Sequence, residues 1–89
     1  MIRREILIQN KLGLHARAAS KLVAVAKEYA SRIEMTSPSA SADGKSIMKV
    51  MLLQASLGTQ ITVEAEGDDE VVAMDAIESL INNRFDEAE

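Results

Sequence analysis

The chain holds one histidine, His15, in the stretch GLHARAAS from Gly13 to Ser20, with Arg17 two positions on. Helical spacing of apolar residues begins at about Ala16, so the ring stands where a helix starts. The first N–H groups of a helix, here those of Ala16, Arg17 and Ala18, have no partner within it. They point outward close to the ring, and that end of a helix attracts phosphate. The same dipole disfavours imidazolium and keeps a ring nitrogen unprotonated and nucleophilic near neutral pH. Arg17 adds a permanent cation whose fork matches phosphate oxygens. The combination describes a nucleophile beside a phosphate cradle. Imidazole also suits a helix cap or a wet loop, and residue type alone leaves that open.

Gly44, Lys45 and Ser46 spell the end of a Walker A loop, but that pattern needs a glycine where Ser39 stands. No long strand of parallel-sheet type precedes it either, and both points weigh strongly against a nucleotide-binding P-loop. Ser46 instead reads as the N-cap of a short helix through about Leu53. That helix is apolar all round. At 100° per residue Val50 and Leu53 lie together and can face a sheet. Ile47, Met48, Met51 and Leu52 form a second stripe with no core left to cover it, unless a crowded small fold buries them all. Methionines suit a surface that adapts to partners. Lys49, with Lys21 and Lys27 of the first helix, is expected to rim the patch with positive charge.

These residues need a frame. Residues 2–9 alternate, with Ile2, Ile6 and Ile8 opposite Arg3, Glu5 and Gln9, as a half-buried strand does. Ala19, Leu22, Val23, Ala26, Tyr29 and Ala30 recur at helical spacing, predicting a helix from about Ala16 to Ala30. Ile33 and Met35, then Ala40 and Ala42, mark two short strands with Pro38 at the turn between them. Residues 59–67, TQITVEAEG, alternate most cleanly and end at Gly67. Asp68, Asp69 and Glu70 then suit a helix N-terminus, and Met74, Ile77 and Ile81 form that helix's apolar stripe. The order is β-α-β-β-α-β-α. One-faced strands imply a sheet covered by helices on one side, an open two-layer α+β sandwich. Several strand orders fit, the ferredoxin-like split βαβ among them.

At 89 residues the chain makes one domain, residues 1–89. It has no cysteine, so disulfides and thiolate metal sites are not available and reducing cytoplasm is the natural setting. Neither a metal nor a cofactor is expected. The opening MIRREILIQN carries charges inside its apolar stretch, which fits neither a signal peptide nor a membrane span. Net charge is −4, but residues 1–49 carry nine Lys/Arg against four Asp/Glu and residues 50–89 one Arg against ten acids. Such segregation suits a basic face meeting acidic partners or phosphate. It equally suits an accident of exposure. Three classes stay open on these grounds: a covalent phosphoryl carrier, a nucleic-acid-binding module and a small regulatory interaction domain. Net acidity and the near absence of stacking aromatics weigh against nucleic acid.

GLHAR followed by small residues, KSIMKVM about thirty residues on, and GTQITVEAEGDDE together closely resemble the HPr family, the histidine-containing phosphocarriers of the bacterial phosphoenolpyruvate-dependent phosphotransferase system. The resemblance runs from about Ile2 to Ile81. It implies an open-faced β-sandwich with four antiparallel strands in the order 1-4-2-3 and three helices on one face. It implies that His15 takes a phosphoryl group on Nδ1 from phosphorylated enzyme I and passes it to an enzyme IIA domain. Arg17 would be the active-site arginine that stabilises the phosphate. Ser46 would be the position an HPr kinase/phosphorylase modifies in some bacteria. Ser20, Lys21, Lys27, Ile47, Met48, Lys49, Met51 and Leu52 would dock partners. Such a protein is a carrier with a phosphohistidine intermediate rather than a stand-alone enzyme, and a monomer that offers one face to successive partners. The alternative is a regulatory HPr-like module acting by protein binding under serine control. The family pattern has proline directly after the arginine, where this chain has Ala18.

Overall fold

The computed structural model describes residues 1–87. Four strands, β1 (Ile2–Leu7), β2 (Arg32–Thr36), β3 (Ser41–Asp43) and β4 (Gln60–Glu66), make one sheet. Of the strand orders left open by the alternation, the chain takes β1-β4-β2-β3, with every neighbouring pair antiparallel. Helices α1 (Ala16–Ala26), α2 (Ile47–Met51) and α3 (Glu70–Asn82) cover one face. The result is the α+β open-faced sandwich of the sequence reading.

Strand alternation decides the layers. Ile6, Ile33, Met35, Ala42, Ile61, Val63 and Ala65 point inward to meet Ala19, Leu22, Val23 and Ala26 of α1 and Met74, Ile77 and Ile81 of α3. Arg3, Glu5, Glu34 and Asp43 point outward to water. Arg4 shares the inward side of β1, an awkward place for a cation. It sits at the rim, where its Nη1 donates to Asp75 at 2.8 Å and Glu78 at 2.6 Å on α3.

The first helix is shorter than its periodicity predicts. It ends at Ala26, and residues 27–31 form a turn. The N–H groups of Ala30 and Ser31 do not continue the helical ladder; both donate to the Asp69 carboxylate just before α3, at 2.8 and 2.9 Å. Ser31 Oγ donates to the same group. A long-range acceptor thus competes with the local ladder and stops the helix. Tyr29 still packs on the core, but Ala30 is exposed.

One element has no counterpart in the sequence reading. After α3 the chain makes a single tight turn, Arg84–Asp86, with all three residues in the left-handed region (φ 56°, 53° and 62°). Non-glycine residues hold such angles only when surrounding structure over-determines them. Here Phe85 is completely buried, and its carbonyl accepts Lys21 Nζ of α1 at 2.8 Å. The turn folds the end of the described chain back over the start of α1.

Candidate functional site

His15 is the N-cap residue of α1, with extended backbone (φ −72°, ψ 176°), and its carbonyl accepts the first helical bond from Ala19 N–H at 2.8 Å. Its side chain makes no cap bond. The amides of Ala16, Arg17 and Ala18 therefore stay outside the helical ladder, as any first turn leaves them. Two links fix the approach of the chain. Asn10 and Gly13 close a turn through Gly13 N–H to the Asn10 carbonyl at 3.2 Å, and Asn10 Nδ2 donates to the Gly13 carbonyl at 2.8 Å. Gly13 has φ +66°, and a Cβ there would stand 2.4 Å from the Ala55 carbonyl oxygen. Only glycine fits both the angle and the space. Leu14 N–H then donates to that same carbonyl at 2.8 Å, which ties the turn to the loop before β4.

The imidazole lies partly open to solvent, its side chain 26 % exposed, in a depression of about 740 Å³ lined by Lys11, Leu12, Arg17, Lys21, Asp86 and Glu87. Arg17 is exposed, and among the described residues it makes no side-chain hydrogen bond or ion pair, so its fork is available to an anion. Glu87 reaches the ring from the other end of the chain: its Oε2 meets His15 Nε2, and its Oε1 accepts Asn10 Nδ2 at 3.0 Å. Burial acts to raise the Glu87 carboxyl. The Asn10 bond, the His15 contact and the nearby Lys21 charge outweigh it, and the group is held below its ordinary value as a carboxylate. Nδ1 of His15 has no hydrogen-bond partner among the described residues.

The fold brings the predicted residues, His15, Arg17 and the helix-start amides, to one place. Asn10, Lys11, Leu12, Asp86 and Glu87 join them without being expected from the sequence. Asparagine three residues before glycine is a turn signature that points to Asn10. Nothing local points to Glu87, 72 positions from His15.

Ser46 caps α2 with extended backbone, its Oγ accepting Lys49 N–H at 3.4 Å. Val50 and Leu53 are completely buried. Ile47, Met48, Met51 and Leu52 are exposed, Met48 the most at 80 %. Ser20, Lys27 and Lys49 are exposed as well. Lys21 departs from the expected rim of the apolar patch: it is half-buried and bound to the Phe85 carbonyl, beside His15. The closing turn captures it because a buried Phe85 carbonyl needs a donor.

Comparison with known proteins gives a consistent answer. Residues 2–83 match the family described as "PTS HPr component phosphorylation site", a stretch that stops just short of the closing turn. The chain is 48% identical over 89 residues to "Phosphocarrier protein HPr" of Cupriavidus necator, covering all of both. Among solved structures, HPr-C-His from Thermoanaerobacter tengcongensis superposes with a TM-score of 0.95 at 39% identity, over all of both chains. An HPr dimer from the same organism superposes with a TM-score of 0.77 at 40% identity, covering 98% of this chain and 100% of that one.

Proposed function

The chain belongs to the HPr family of the phosphotransferase system, and from that premise we propose that it carries a phosphoryl group on Nδ1 of His15, taking it from phosphorylated enzyme I and handing it to an enzyme IIA domain. In each step the Nδ1–phosphorus bond forms or breaks as the bond to the partner breaks or forms. The departing electron pair stays with the donor atom. Little catalysis is asked of the carrier itself, since phosphoimidazole conserves transfer potential. It must present the ring for in-line attack and steady the charge on three oxygens.

One observation carries this reading: a partly exposed imidazole stands at the N-cap position of a helix, with first-turn amides outside the helical ladder and the Arg17 guanidinium beside it. Amides and guanidinium act on phosphoryl oxygens with fixed dipoles and no reorganisation. The exposed stripe Ile47, Met48, Met51 and Leu52, with Ser20, Lys27 and Lys49 around it, serves as the docking face, and Lys21 acts closer to the ring. Among the described residues no helix is long and apolar enough to cross a membrane. We read the protein as cytoplasmic, monomeric in its working form, and without nucleic-acid partners. The test is incubation with enzyme I and phosphoenolpyruvate. An acid-labile phosphate should form on the native protein and be absent from His15→Ala; a His15→Ala protein that still becomes labelled would overturn the assignment. Adding a IIA domain should then discharge the label.

A second reading, regulation through Ser46, is favoured by its place beside the exposed stripe. Phosphate on its Oγ adds nearly two negative charges at a helix start, which the fold tolerates and an acidic partner surface does not. An HPr kinase/phosphorylase is the enzyme class such a site would serve.

A further inference from the structure

We propose that Glu87, held in turn by Asn10, is a positioning residue that decides which nitrogen of His15 accepts the phosphoryl group. The inference rests on the carrier reading above and names a part of that site lying outside the family-matched stretch. A neutral imidazole carries one proton, and the hydrogen bond made by one nitrogen fixes the tautomer at the other. The Glu87 carboxylate is an acceptor only, and it faces Nε2. Nε2 must therefore be the N–H, and the lone pair is left on Nδ1.

The carboxylate is itself aimed rather than loose. Its second oxygen takes Asn10 Nδ2, and the same Asn10 nitrogen holds the Gly13 carbonyl in the turn that delivers His15. Buried Phe85, two residues earlier, anchors the backbone, and Lys21 grips its carbonyl. Amide, carboxylate and imidazole thus stand in line, each fixing the next, the logic by which a buried carboxylate orients a catalytic histidine elsewhere.

The arrangement also balances charge. Attack by Nδ1 on phosphorus leaves the ring, still carrying its Nε2 proton, with a positive charge. No proton needs to leave. Glu87 compensates that charge as it develops, and the same protonated ring is the better leaving group when the phosphoryl moves on. The closing turn, with its three left-handed residues, is the strained element that keeps the carboxylate there.

The test uses the full chain with its ring labelled with 15N, and the variants Glu87→Ala and Glu87→Gln. Nitrogen shifts of the unphosphorylated protein, taken at a pH where the ring is neutral, report the tautomer whether or not transfer occurs. In the native protein Nε2 should carry the proton almost exclusively. Glu87→Ala should shift both nitrogens toward a mixed tautomer and slow phosphoryl acceptance from enzyme I about tenfold, with its apparent affinity unchanged. Glu87→Gln keeps an acceptor oxygen and should restore the native tautomer. Identical shifts in the native and Glu87→Ala proteins, or Glu87→Gln behaving like Glu87→Ala, would overturn the assignment. A native protein that takes no phosphoryl group would sink the carrier reading instead and leave the tautomer result standing.

Discussion

At the scale of the residue, two small residues beside His15 do no chemistry and bear on the site in opposite ways. Gly13 occupies a left-handed angle against the Ala55 carbonyl. A methyl group there meets both a steric and a conformational barrier, and strain of this kind costs about 1–3 kcal/mol. Gly13→Ala should lower the free energy of unfolding by that amount, read as a lower urea midpoint with an unchanged slope. It should also slow phosphoryl acceptance, because the displaced turn delivers His15. Ala18 is the opposite case. Its N–H lies in the first turn of α1 and has no partner in the helix, so proline costs the fold no hydrogen bond and restricts the unfolded chain, while the amides of Ala16 and Arg17 remain for the phosphoryl group. Ala18→Pro should stabilise the fold by about 0.4–1 kcal/mol, seen as a raised Tm, and leave the rate of phosphoryl acceptance in the same decade. A change of several decades would mean that this position acts on the chemistry.

At the scale of the element, the junction between α1 and α3 is held by one carboxylate. Ser31 Oγ and the Ala30 and Ser31 amides donate to Asp69 and hold its carboxyl below the ordinary value, the Ser31 hydroxyl most strongly. A folded-state value below the unfolded one gives stability that is complete above about pH 4 and lost as pH falls through the folded value. Asp69→Asn should therefore be less stable than the native protein at pH 7. The gap should narrow steadily from about pH 4 down to pH 2, as followed by urea unfolding across that range. A gap independent of pH would mean that shape rather than charge makes the junction. The same carboxylate explains why helical periodicity overran the end of α1: the sequence pattern continued, but the backbone donors had a better partner 38 and 39 positions away.

At the scale of the whole molecule, each end of the sheet gathers both signs of charge, with Asp86 and Glu87 beside His15 at one end and Arg32 and the N-terminal amine at the other. The end where Leu7 pairs with Gln60 carries Lys11, Arg17 and Lys21 around His15. The opposite end, where Ile2 pairs with Ala65, leads into Asp68, Asp69 and Glu70. The open sheet face is less well matched. Glu34 lies between Glu64 on β4 and Asp43 on β3, both directly opposite in register. Like charges facing across strands destabilise, by about 0.2–1 kcal/mol per pair. Glu34→Lys should reverse both pairs and raise stability, more at low than at high salt. Equal gains at both ionic strengths would assign the effect to something other than charge.

Local order was legible in the chain because burial imprints a period on it. Strand alternation, the start of α1 at His15, the Ser46 cap and the division of α2 into buried Val50 and Leu53 against an exposed stripe all follow from neighbours within a few residues. The trio of His15, Arg17 and first-turn amides, which we propose cradles the phosphoryl group, is local for the same reason. What periodicity left to tertiary structure is the pairing of distant segments: which strands adjoin, an order the sequence offered only through the HPr resemblance, where α1 stops, and that Arg4 reaches α3. It also decided that Glu87 closes on His15. Those choices depend on which backbone donors and charges find a partner once the core has formed, and no period in the sequence encodes a partner seventy residues away.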